Sequence, residues 1–325
     1  MRSATSAWDP SSLLVPGRAP FFFKADAAPN RRVRDYPPPN LQGGRRHSVI
    51  ICASPAPVPS PSPSPLLGRR ALVSIATASF LVPFSSLASA TDENSLLREE
   101  IRKVLSKGKA PGFLRLVFHD AGTFDMDDKT GGMNGSIVYE LERPENMGLD
   151  KSLKVLEKAK GQTDTVNPVS WADLIAVAGA EAVEICGGPK IPVQLGRIDA
   201  KVPDPDGRLP QESLDASTMK QFFKKKGFSI QELVALSGAH TLGSKGFGNP
   251  TVFDNSYYRV LLEKPWSSSG GMSGMIGLPS DRALAEDSEC IRWITKYAND
   301  EGLFFKDFAE AYVKLVNTGA IWMEI

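Results

Sequence analysis

A mainly α-helical chain in two lobes is what the sequence predicts, and three observations carry that reading. Apolar residues recur at helical spacing in one segment after another, beginning with Leu96, Leu97, Ile101, Val104 and Leu105. Helix-opening signatures stand at Ser170-Trp171-Ala172-Asp173 and Ser229-Ile230-Gln231-Glu232, a hydroxyl residue followed three places later by an acid. No stretch of consequence alternates as a half-buried strand would, and a Pro- and Asp-rich segment from Val202 to Pro210 is long irregular backbone between the lobes. The net charge of +1 and an aromatic content of 8% describe an ordinary globular chain, without the basic excess of a nucleic-acid binder.

The first part of the chain has a different composition. Residues 1–65 are rich in Ser, Pro, Ala and Arg, with only Asp9, Asp26 and Asp35 as acids, and they end in alternating prolines from Pro57 to Pro65. Such a segment cannot pack a core and reads as an organellar transit peptide, the alternative being a disordered tail. Residues 66–90 then carry Arg69-Arg70, a short apolar run to Phe84 and Ala88-Ser89-Ala90, the pattern of a twin-arginine signal with its cleavage site. The run is short and broken by Ser and Pro, so no membrane span is expected. Two successive signals imply passage through the chloroplast envelope and then into the thylakoid lumen, with a mature domain over 91–325. Of Cys52, Cys186 and Cys290, the last two would remain, and they read as free buried thiols.

Within the domain, Pro111-Gly112 ends the loop after the first helix, and a second helix is expected from about Phe113 to Ala121. Arg115 and His119 lie four apart on it, so they project from one face, one turn apart. An imidazole that takes a proton beside a guanidinium that stabilises charge suits peroxide chemistry. Taken alone, the spacing favours the plainer reading, an exposed Arg over a satisfied core His. His240 follows Gly238, which stands where a helix C-cap belongs, and would be rigidly mounted as an axial ligand. Asn146 precedes a helix with Leu149, Leu153 and Leu156 and would by itself be an N-cap. Asp281 would be a first-turn acid. The helix after Ser170 is crowded with small residues and reads as core, and Lys224-Lys225-Lys226 reads as a solvated helix end. Helices around Cys290–Tyr297 and Phe304–Val316 look structural.

Arg115-Leu116-Val117-Phe118-His119-Asp120-Ala121-Gly122-Thr123 and Ala235-Leu236-Ser237-Gly238-Ala239-His240-Thr241-Leu242-Gly243 resemble the distal and proximal signatures of plant haem peroxidases, most closely the class I ascorbate peroxidases. The likeness continues through Val169–Leu174, Leu195-Gly196-Arg197, Pro205–Pro210, Phe253–Tyr258 and Leu278–Asp281, in order, from about Asp92 to the end. It is strongest to a divergent branch of the thylakoid lumen. The resemblance implies a two-lobed haem-peroxidase fold, a distal lobe over about 91–200 and a proximal lobe over about 201–325, with haem b between them. It makes His119 the acid–base group, Arg115 the charge stabiliser, and Asn146 the acceptor that holds His119 Nδ1–H and leaves Nε2 free. It makes His240 the iron ligand and Asp281 its acceptor.

The likeness breaks after His240. Where ascorbate peroxidases carry a segment of the type H-K-E-R-S-G-F-E-G-P-W-T-S-N-P, this chain has a shorter one, Thr241 to Pro250. The family's ascorbate-binding Arg is missing, although Lys107 matches an early Lys of that site. The Trp that stacks on the proximal His is also missing, with Phe247 the nearest aromatic and Trp266 a poor substitute. Thr241, Asn249 and Asp254 match family cation ligands, but Phe247 replaces a Thr. Two readings follow: a lumenal haem enzyme reducing hydrogen peroxide with a small reductant at a degenerate ascorbate site, or an inactive peroxidase-fold auxiliary protein, for example beside photosystem II.

Overall fold

The computed structural model describes residues 84–263, 266 and 276–324, with side chains from Asn94 onward. The predicted transit peptide, and the twin-arginine segment as far as Pro83, lie outside those residues. Over the described range the chain is mainly helical, and the only β-pairings there are two isolated bridges, Asp125 with Thr130 and Arg197 with Trp322. The helices are α1 (Phe84–Val104), α2 (Ala110–Ala121), α3 (Leu149–Thr163), α4 (Trp171–Ile185), α5 (Ala216–Lys225), α6 (Ile230–Ser237), α7 (Ser256–Leu262), α8 (Pro279–Glu286), α9 (Cys290–Asn299) and α10 (Glu301–Asn317). Helices α1 to α4 pack on one another, and α5 to α10 form a second group. Helix α10 lies against both α6 and α2, so it fixes the helix that carries His119 relative to the one that leads to His240.

Local chemistry explains most of the boundaries. Helix α1 runs through Ala88–Ala90 and so begins earlier than its apolar spacing suggested. Helix α2 also begins earlier than expected, because Pro111 sits in its first turn, where a missing N–H leaves no bond unmade. Ser170 caps α4 by accepting Asp173 N at 3.1 Å, which is worth about 0.5–2 kcal/mol. The expected reciprocal bond is absent. Asp173 instead accepts Gly196 N at 2.6 Å and pairs with Arg197 at 2.7 Å, both side chains being buried.

Arg197 spreads its remaining donors over the far end of the chain, to Val316 O and Asn317 Oδ1 at 2.8 Å each, with its guanidinium 4.6 Å from the Trp322 ring. The last residues thereby return to the segment before the Pro-rich divide, with Ile198 N on Ile321 O and Met323 N on Gly196 O. A division near residue 200 therefore does not separate all of the chain's contacts. A buried guanidinium left without its carboxylate would cost several kcal/mol, so Asp173 secures the Arg197 that ties α4 to Val316 and Asn317.

Two expectations change on burial. Lys226, read as solvated, is only 7% exposed and donates to Phe124 O at 2.7 Å beside the Phe222 ring. Burial pushes its ammonium down to about 8. Gly238 is the C-cap of α6, but with φ at −58° it makes no left-handed turn. A Cβ there would stand 2.3 Å from Tyr258 Oη and 2.5 Å from the Phe304 ring, so glycine is required by close packing. The capping box at Ser229 and Glu232 forms as read. Cys186 and Cys290 are free and buried.

Candidate active site

Helix α2 places Arg115 and His119 one turn apart. His119 Nδ1 lies 2.6 Å from Asn146 Oδ1, and Asn146 is buried in a 3-10 turn, Pro144–Asn146. Asn146 Nδ2 donates to Glu140 O at 2.9 Å, which fixes the amide with its oxygen toward the ring and so assigns the His119 proton to Nδ1. The N-cap of α3 is Gly148, so Asn146 has no capping role there. Burial, reinforced by the neighbouring Arg115 charge, pushes the His119 imidazole down to about 4 against the pull of Asn146. It is a neutral base at ordinary pH.

Arg115 departs from expectation. Its Nε donates to His119 Nε2 at 3.3 Å, and its two terminal nitrogens donate to Met147 O at 2.8 Å and to Glu145 O. The nitrogen read as free is therefore covered. The cause is local: the 3-10 turn and its exit offer two carbonyls within reach of the guanidinium, and charge-assisted bonds to them outweigh solvation. Next to the pair, Phe118 meets His119 edge-on at 6.3 Å and stacks on Phe223 at 6.2 Å.

On the other side, His240 lies in a 3-10 turn, Gly238–Thr241, that continues α6. Its Nδ1 is 2.8 Å from Asp281 Oδ1. Asp281 is also in the first turn of α8, where its Oδ2 accepts Leu278 N at 2.8 Å, so both readings of that acid hold together. Burial lowers the His240 pKa, but the Asp281 carboxylate and its hydrogen bond outweigh that and leave it raised. The sequence did not single out Tyr257, whose hydroxyl donates to Asp281 Oδ1 at 2.9 Å. Its motif, Phe253–Tyr258, was visible, but a side chain's partner across the fold was not. Glu140 and the carbonyls that hold Arg115 were missed for the same reason.

Both histidines line one cavity of about 710 Å³, walled also by Phe118, Leu278 and Tyr312. That volume falls in the range typical of cofactor sites, and the lining is mostly apolar, as a porphyrin face requires. His240 leaves 40% of its side chain uncovered toward it, and with Nδ1 committed to Asp281 the nitrogen left for a metal is Nε2. These residues fit haem. A second cavity of about 690 Å³ shares Arg115, Phe118 and His119 with the first and adds Arg143, Glu145 and Asp206. Glu212 lines both.

The shortened segment closes on itself through Gly243 N on Pro250 O at 2.9 Å, and Gly277 N ties it to the chain before α8 by donating to Lys245 O at 2.8 Å. Phe247 is buried against Tyr257, and Trp266 donates to Leu261 O at 3.0 Å. Of the expected cation ligands, Thr241 and Asp254 meet at 2.9 Å, whereas Asn249 accepts from Thr251. Among the described residues no group of three or more His, Cys, Asp or Glu is placed to hold a metal ion.

A helical fold with two histidines lining one cavity, each oriented by its own acceptor, fits a peroxidase, and the family model described as Peroxidase matches residues 95–300. The protein named Putative L-ascorbate peroxidase 6 of Arabidopsis thaliana is 62% identical over 251 residues, 77% of this chain and 76% of that one. Cytosolic L-ascorbate peroxidase 1 of Oryza sativa subsp. indica is 42% identical over 236 residues, 68% of this chain and 91% of the relative. Cytosolic L-ascorbate peroxidase 2 of Arabidopsis thaliana is 41% identical over 228 residues, 66% and 87%. The chain belongs to the class I ascorbate peroxidase family.

Proposed function

We propose that this protein is a haem-dependent reductase of hydrogen peroxide that works in the thylakoid lumen with a degenerate ascorbate site. The observation that carries the reading is the pair of imidazoles in one cavity, His119 held by Asn146 and His240 by Asp281. His240 Nε2 would hold the iron, and haem when bound would supply the Lewis acid and the electrons for cleaving the O–O bond. His119 Nε2 takes a proton from peroxide and returns it to the departing oxygen. Asn146 keeps Nδ1 protonated and the ring in place. Arg115 must exchange its contact with His119 for the substrate, and its charge then stabilises the departing oxygen. An absorption spectrum with and without haemin, followed by peroxide consumption, tests the assignment. A protein that shows a Soret band and consumes peroxide sustains it, and one without a Soret band ends it.

A second reading has one observation in its favour. Arg115 covers the base it should assist, and two carbonyls hold it there. A peroxidase-fold auxiliary protein, docked for instance at photosystem II, needs no open base.

The reductant follows from the missing anion anchor. Glu212 lines both cavities and its carboxylate acts on Arg115 and His240 alike, while Lys245 lines the first cavity and offsets it at His240. No Arg stands in the short segment to hold ascorbate, and Arg is the usual anchor for such an anion. Ascorbate turnover is therefore expected to be slow and hard to saturate, with neutral phenols doing better. Grafting the longer family segment between Gly243 and Asn249 should restore the ascorbate preference. Saturable ascorbate turnover by the unaltered protein contradicts this.

The location rests on Arg69-Arg70 and the composition before it. Changing both arginines to lysine is expected to stop delivery to the lumen and leave a stromal intermediate in an import assay. Undiminished lumenal accumulation would remove the twin-arginine assignment.

A further inference from the structure

Asp281 is a buried carboxylate with three donors, two of them on the same oxygen. His240 Nδ1 and Tyr257 Oη lie 2.8 and 2.9 Å from Oδ1, and Leu278 N lies 2.8 Å from Oδ2. Tyr257 has no exposed surface, and its ring is fixed on several sides. It meets His240 edge-on at 6.0 Å, Phe247 at 4.7 Å and Tyr258 at 4.9 Å. Phe247 in turn rests on Gly277, whose φ is +70° and where a Cβ would stand 2.5 Å from the Phe247 ring. The shortened segment thus delivers an aromatic wedge that holds the Tyr257 ring in place. Burial and the adjacent Asp281 charge raise the tyrosine far above its ordinary pKa, so its hydroxyl stays a donor.

We propose that Tyr257 is a positioning residue for the reaction: by sharing Asp281 Oδ1 with His240, it fixes the imidazole and limits how strongly the carboxylate draws on Nδ1–H. A carboxylate oxygen divides its basicity between its donors. With Tyr257 in place, Asp281 is the weaker acceptor for His240, and Nε2 is the weaker donor to whatever it ligates. Without it, the His240–Asp281 bond tightens and the imidazole becomes more anionic. This rests on the peroxidase reading for its consequence at iron, but the hydrogen-bond competition exists in the apoprotein too.

The test is Tyr257→Phe, a change that removes one hydroxyl and leaves Asp281 with its other two donors. In ¹⁵N-labelled apoprotein the His240 Nδ1–H resonance is expected to move downfield, the sign of a stronger bond. In the haemin-loaded protein the reduction potential is expected to fall, whereas Asp281→Asn is expected to raise it. Opposite signs from two neighbouring changes would not come from loosened packing. An unmoved His240 resonance, or a potential that is unchanged or rises in Tyr257→Phe, overturns the assignment. Should haemin not bind at all, the peroxidase reading fails, and the apoprotein resonance still decides the role of Tyr257. Should Tyr257→Phe not fold, Phe247→Leu, which removes the aromatic wedge, is expected to move the resonance the same way, and no movement overturns the proposal.

Discussion

His119→Ala is expected to slow the reaction of the haemin-loaded protein with peroxide by about two to four orders of magnitude, the usual worth of a positioned general base. The haem should stay bound, because His240 and its Asp281 partner are untouched by the change. Asn146 should survive the change with its amide still on Glu140 O, so the effect would be chemical and not structural. Stopped-flow mixing with peroxide measures it. A loss of less than tenfold would show that His119 is not the base, and that the contact with Arg115 is its resting arrangement throughout.

The pH dependence follows from the same residue. Because burial holds His119 at about 4, below the ordinary value near 6.5, the folded protein resists a proton that the unfolded chain accepts. The peroxide step should therefore be flat from neutral pH downward and fall only as pH approaches about 4. Stability has the corresponding sign. The contribution from His119 is fully present above about 6.5 and is lost as pH falls toward about 4, where the unfolded state binds more protons.

The helices were legible in the sequence because they depend on neighbours a few residues apart, whereas the candidate site residues stood out only through the resemblance to a family. Ser229 and Glu232 cap α6 through bonds that span three residues, and the apolar spacing of α9 and α10 needs only its own turn of chain. Arg115 and His119 share a face for the same reason. What the residues then touch was not legible in local pattern, and the contacts of His119 with Asn146 and of His240 with Asp281 were expected from the resemblance alone. The Arg115 guanidinium is placed by carbonyls thirty and thirty-two positions away. Lys226 is buried by Phe124 and Phe222, and Tyr257 reaches an acid twenty-four positions on. Such partners are chosen by packing between elements, which local pattern does not encode. Asn146 shows the limit from the other side: local chemistry made it a cap, and only the likeness to a family placed it on His119.

His240→Ala is expected to abolish stoichiometric haem binding, and with it the Soret band and all peroxide turnover. Among the described residues His119 is the other histidine, and it is turned to Asn146, so no second imidazole can take the iron. No cluster of other ligands is placed to substitute there. The change should leave the fold intact. Asp281 keeps Tyr257 and Leu278 as donors, and the 3-10 turn holds through its own backbone. Far-ultraviolet circular dichroism of the apoprotein checks that. Added imidazole should restore part of the spectrum, since the cavity already leaves much of the His240 ring uncovered and the alanine would open its place. The paired result with His119→Ala separates the two sides of the cavity, one losing the haem and the other keeping it. If His240→Ala bound haemin as tightly as the unaltered protein, the ligand would be elsewhere and the proximal assignment would fall.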